Sequence, residues 1–136
     1  AHVGDYGIAT YNSPREVSPD PRYTNYLAIT GEGALMPGAH PTSLTEIRDG
    51  MTNTIMVVEV LNSDVQWNEP RDLDIGSFQC VDHGADPRAT NVIPRQGVVL
   101  FADGSVFRMN EQVTREMLQK YFTRDGREVV ERWPSE

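Results

Sequence analysis

Apolar positions along this chain recur mostly at the two-residue period of half-buried strands, and near the C-terminal end at a helical period. Tyr23 to Thr30 alternates, with the β-formers Tyr26, Leu27 and Ile29, and Gly31-Glu32-Gly33 ends the run. Asn53 to Leu61, Asn-Thr-Ile-Met-Val-Val-Glu-Val-Leu, is the most apolar stretch and too short for a long buried helix, which predicts a central strand. Gly97 to Ala102 and Ser105 to Met109 are two β-rich runs joined by Asp103-Gly104, the dipeptide favoured in two-residue hairpins. From Asn110 to about Phe122 the pattern changes: Val113, Met117, Leu118 and Tyr121 share one face of a helix that Asn110 is placed to cap and Asp125-Gly126 to end.

Residues 1–22 read as an extended N-terminal lead-in with one strand at Gly7 to Tyr11, because Pro14, Pro19 and Pro21 each remove a ladder donor. Ser43-Leu44-Thr45-Glu46 has the form of a capping box and predicts a short helix that Asp49-Gly50 stops. Glu128 to Trp133 predicts a last short strand. Residues 23–136 are therefore expected to form a single α+β domain: an antiparallel β-sheet containing the Asn53 to Leu61 strand and the Gly97 to Met109 hairpin, with a C-terminal helix packed on it.

Composition narrows the partners. With 38% hydrophobic and 24% charged residues, the 136-residue chain has a globular make-up and room for one core. A net charge of -8 repels phosphate backbones, so nucleic acid is not an expected partner. Cys80 is the single cysteine, which excludes an internal disulfide framework and any site of several thiolates. No window approaches the ~18 consecutive apolar residues of a membrane helix, and Ala1 to Ile8 has no signal-peptide pattern, so an export signal is expected upstream of Ala1.

Four ordered blocks carry a resemblance. They are Thr24 to Gly31 (Thr-Asn-Tyr-Leu-Ala-Ile-Thr-Gly), Ile47 to Glu59 with its Arg-Asp-Gly-Met-Thr-Asn-Thr, Trp67 to Leu73, and Leu100 to Val106 with its Asp-Gly-Ser-Val. Together with the ending Thr123 to Val130, they resemble the domain of unknown function found in planctomycete proteins with a prepilin-type N-terminal helix. The resemblance implies a pilin-like globular head, of the type IV pilin or type II secretion pseudopilin kind. It implies a periplasmic or extracellular structural subunit without enzymatic activity, whose partners are other envelope or pilin-like subunits. Membrane contact would run only through an N-terminal helix that this chain does not contain. The family's signature has a His, nine intervening residues and then Asp-Gly; here that position is Ile93, and His83 lies twenty residues before Asp103.

Candidate chemistry is sparse. Glu69, Asp72 and Asp74, with Asp82 and Asp86 behind them, form the densest carboxylate stretch, and calcium takes oxygen ligands from such loops. The spacing fits no twelve-residue calcium loop; Asp72-Leu73-Asp74-Ile75-Gly76 resembles the Asp-rich calcium loop of major pseudopilins, and the plainer reading is a solvated acidic loop. Glu59 lies in an otherwise apolar strand, so it either faces outward by alternation or is a buried carboxylate. If buried, it is an acceptor for backbone amides or for Arg71 or Arg108, or else one half of an acid–base pair with Asp103 or Glu69. Asp103 and Gly104 are expected as turn formers, with Ser105 capping the turn. His2, His40 and His83 have no spacing that suits a zinc site. Trp67 and Trp133 with the N-terminal tyrosines can line a saccharide-binding face or pack in a core, and a calcium- or saccharide-binding module at Trp67 to Asp86 is the alternative to a structural head.

Overall fold

A computed structural model of the protein describes residues 7–16, 19–36, 54–80, 89–110 and 113–122. In chain order its elements are β1 (Tyr26–Thr30), β2 (Ile55–Glu59), β3 (Leu73–Asp74), β4 (Gln79–Cys80), β5 (Val92–Ile93), β6 (Val98–Phe101), β7 (Val106–Arg108) and α1 (Arg115–Phe122). The predicted helix at Ser43, its Asp49-Gly50 stop, the Asp125-Gly126 helix end and the Glu128 to Trp133 strand lie outside the described residues.

Five strands form a sheet in the order β3-β1-β2-β6-β7, with the apolar β2 at its centre. Pairing is antiparallel from β1 through β2 and β6 to β7. β3, however, joins β1 in parallel, and β4 and β5 make a separate two-stranded parallel sheet. The fold is therefore α+β with a mixed sheet, not the antiparallel sheet that the sequence pattern predicts. A two-residue strand is too short to display a period, so its direction is set by where the preceding loop delivers it. Here the loop is tied to the β1 side by the Trp67 amide donating to the Arg22 carbonyl (3.0 Å), and Leu73 then enters beside Ile29.

The hairpin forms as expected, with a different loop. The Phe101 amide donates to Ser105 O (2.9 Å) and the Gly104 amide to Phe101 O (3.0 Å), which encloses the three residues Ala102-Asp103-Gly104 rather than two. Gly104 takes φ 87°, the left-handed position that such three-residue loops require. Asp103 Oδ1 accepts from the Ser105 amide (2.9 Å) and hydroxyl (2.6 Å), fixing the loop exit.

Two local expectations are corrected. Helix α1 begins at Arg115 and is capped by Thr114, whose Oγ1 accepts the Met117 amide (3.2 Å), not by Asn110. Met109 is still bonded to Gly97 O (2.8 Å), so the chain must turn after leaving the ladder before a helix can start. The segment predicted as a strand at Gly7 to Tyr11 instead makes one 3-10 turn at Ala9–Tyr11. It is held from outside the sheet by the Ile8 amide on Pro21 O (3.0 Å), and Gly7 lies so close that a Cβ there would meet Pro21 Cβ at 2.2 Å.

Alternation in the strands separates two sheet faces. Leu27, Ile29, Val58, Val99 and Phe101 are each at most 1% exposed on the face that α1 covers. There the Tyr121 ring meets Phe101 edge-on (6.1 Å), and Phe122 meets Phe78 edge-on (5.0 Å). The Arg115 guanidinium lies 4.4 Å from the Phe78 ring centre, closing that corner. Cys80, the single cysteine, is buried in β4.

Candidate functional site

The other face of the sheet carries the unusual surface. Register aligns Ala28 with Val57, Val57 with Leu100 and Leu100 with Val106, so four apolar side chains form a row across β1, β2, β6 and β7. Ala28, Val57 and Leu100 are half-buried, and Val106 is 60% exposed. The row ends at a strand edge, for among the described residues β7 has only β6 beside it. The Phe101–Ser105 and Gly97–Met109 rungs flank the Val99–Phe107 pair at two-residue steps. By antiparallel alternation Phe107 thus bonds inward, and the main-chain groups of Val106 and Arg108 point to the free edge.

At the β1 end the same face deepens into a cleft of about 320 Å³ between the 3-10 turn and the Trp67 loop. Tyr11 and Trp67 meet there with ring planes 15° apart and centres 6.3 Å apart. That separation lies within the range of offset aromatic pairs and beyond direct face-to-face contact. Tyr26 lines the floor. Burial, and after it the negative Glu59 opposite it in register, push the Tyr26 phenol above its ordinary value. Arg71 stands on the rim, with Nε on Glu69 Oε2 (2.7 Å) and Nη2 on Asp64 O (2.7 Å); the Glu69 bond is the main reason its pKa is raised.

Glu59 lies beneath this face and is buried, 1% exposed. Its Oε2 accepts the Ser13 hydroxyl, its Oε1 accepts the Val98 amide (3.0 Å), and Arg15 Nη1 stands 3.9 Å from Oε1. Glu59 thus serves as an acceptor for a backbone amide, with Arg15 as the nearby cation instead of Arg71 or Arg108. Asp103 and Glu69 are not among its partners: Asp103 is exposed on the hairpin tip, its pKa lowered by the Ser105 hydroxyl and then the Ser105 amide. Ser13 in turn takes Asn25 Oδ1 on its amide (2.8 Å), so a buried polar knot joins the N-terminal segment to β2.

The acidic stretch is dispersed over separate partners. Glu69 bonds the Gln66 amide (3.1 Å) and Arg71, Asp72 Oδ1 the Ala28 amide (3.3 Å), and Asp74 Oδ1 the Gly76 amide (2.7 Å). Among the described residues no three His, Cys, Asp or Glu side chains come together as a metal would need. Asp82, Asp86, the three histidines and Trp133 lie outside the described residues, and Ile93 is a core residue 1% exposed. Among the described residues no helix is long and apolar enough to cross a membrane.

Sequence reasoning placed Trp67 with the N-terminal tyrosines, but not the role of Ser13, Arg15 or Asn25; small polar residues in a Pro-rich segment give no periodic signal. The chain matches no protein-family model, no curated protein and no solved structure.

Proposed function

We propose that this chain is a non-enzymatic structural subunit of the cell envelope or exterior, a prepilin- or pseudopilin-like head that contacts other envelope subunits. The row Ala28-Val57-Leu100-Val106 supports this reading. A continuous apolar strip that crosses four strands and ends at an edge unpaired among the described residues is what a partner can cover, its side chains by packing and its main chain by strand addition. The order of the four family-like sequence blocks supports the same reading.

The test is a photoreactive residue in place of Val106, in the intact protein within its native source. The expected result is a covalent adduct with a second envelope protein or a second copy, lost when Leu100→Lys is added. A protein that stays strictly monomeric and cytoplasmic, with no adduct, would overturn the proposal.

A further inference from the structure

Beyond assembly, the cleft beside Trp67 has the chemistry of a sugar site. We propose that it binds a neutral oligosaccharide built of pyranose units with equatorial hydroxyls, stacking one unit on the Tyr11–Trp67 pair. In such a sugar the ring hydrogens are axial, so each ring face is a flat apolar surface edged by hydroxyls. Tyr11, Tyr26 and Trp67 all line the cleft and offer matching flat area, with the Tyr11 and Trp67 ring planes only 15° apart. Tyr11 is 42% exposed, which a ring that serves only to pack the fold has no need to be.

Polar groups ring this apolar area. Tyr11, Tyr26, Gln66 and Asp72 line the cleft, and the two tyrosine hydroxyls, the Gln66 side-chain amide and Asp72 Oδ2 have no hydrogen bond to the described residues. They supply both acceptors and donors, as sugar hydroxyls require. Glu69 and Arg71 hold each other at 2.7 Å, so part of the rim is ordered before a ligand arrives. A mostly apolar cleft with a few convergent polar groups is the usual form of a small-molecule site.

Charge selects among sugars. Glu69 and Asp72 set two carboxylates against the one guanidinium of Arg71, on a chain of net charge -8. A uronate or sulfated sugar would be repelled, whereas a neutral one meets carboxylates as hydroxyl acceptors.

The test is calorimetric titration of the intact chain with cellohexaose as the neutral probe and hexagalacturonate as the charged one. Cellohexaose is expected to bind, with hexagalacturonate weaker by about tenfold or more. Trp67→Ala and Tyr11→Ala are each expected to weaken cellohexaose by about tenfold or more, as aromatic anchors do. Tyr11 is exposed, so Tyr11→Ala should keep the wild-type circular dichroism and decides the matter even if Trp67→Ala unfolds. Absence of cellohexaose binding, unchanged affinity in a folded Tyr11→Ala protein, or equal binding of hexagalacturonate would each overturn the proposal. Because the Val106 edge is left intact in these variants, failure here does not touch the assembly reading.

Discussion

The Ser13 hydroxyl donates to the Glu59 carboxylate across 46 positions of sequence, binding the N-terminal segment to the central strand inside the core. Ser13 is 2% exposed and Glu59 1%, so the carboxylate is held away from water by the residues it organises. Its other oxygen accepts the Val98 amide at the start of β6. A buried carboxylate is tolerable only when its lone pairs are so occupied, and removing it strands the donors that faced it.

Glu59→Ala is therefore expected to lower stability by about 3 kcal/mol, since it leaves the Ser13 hydroxyl and the Val98 amide unsatisfied. Ser13→Ala should cost about 1–2 kcal/mol, as it removes one donor and leaves Glu59 its amide bond. Urea unfolding of both single variants and the double variant checks this: the double should cost less than the sum by about 1 kcal/mol. Strict additivity would mean that the two side chains do not act as a pair.

Gly104, at φ 87°, makes a cleaner test of backbone conformation, because a Cβ built there meets nothing within 4 Å. Gly104→Ala should cost about 1 kcal/mol from the left-handed backbone alone. Gly104→Asn should cost less, as Asn tolerates that region. Equal stability of all three proteins in thermal melts would show that the loop can take another form.

The parts of the fold that repeat a period were legible in the sequence, and those that depend on delivery or on single polar contacts were not. Ile55 to Glu59 announces a central strand because its apolar run is dense, and Val98 to Arg108 announces a hairpin through Asp103-Gly104. Leu73 and Asp74 carry no such signal, and the parallel pairing of β3 arises from where the Trp67 loop ends. The helix is capped by Thr114 and not by the expected Asn110, because Met109 is still tethered to Gly97 and the chain must turn before a helix can start. Of the candidate site, the aromatic types were visible, but Tyr11 and Trp67 meet through two irregular segments that no periodic pattern describes.

On the exposed surface, Asp20 gives a pH-dependent prediction. Bonds from the Arg22 guanidinium, Nη2 to Oδ2 at 2.6 Å and Nε to both carboxylate oxygens at 3.0 and 3.2 Å, with a further bond from the Arg22 amide, lower its pKa from 3.8 to about 2. Because the folded value lies below the unfolded one, its stabilising effect is complete above pH 3.8 and is lost as pH falls through about 2. Carboxyl-resolved NMR should show Asp20 titrating near 2, and Arg22→Ala should move it towards 3.8, with the Arg22 position's amide retaining part of the shift. High salt should shrink the effect, since the pair is exposed. A titration at 3.8 in the unaltered protein would dismiss the pairing.

Tyr26 titrates at the opposite end of the scale and reports on the cleft. Burial disfavours its phenolate first, and the carboxylate of Glu59, facing it across β1 and β2, adds to the penalty, so its pKa lies above 10.0. For an acid whose folded value is raised, the fold prefers the protonated form. The contribution of Tyr26 is then whole below pH 10.0 and declines as pH rises through the folded value. Phenolate absorbance of the unaltered protein minus that of Tyr26→Phe isolates this one group, and it should titrate above 10.0. In a Glu59→Gln background the value should fall only part of the way back, because the larger cause, burial, remains. A full return would make the Glu59 charge the dominant cause, and a difference spectrum centred at or below 10.0 would mean that water reaches the phenol freely.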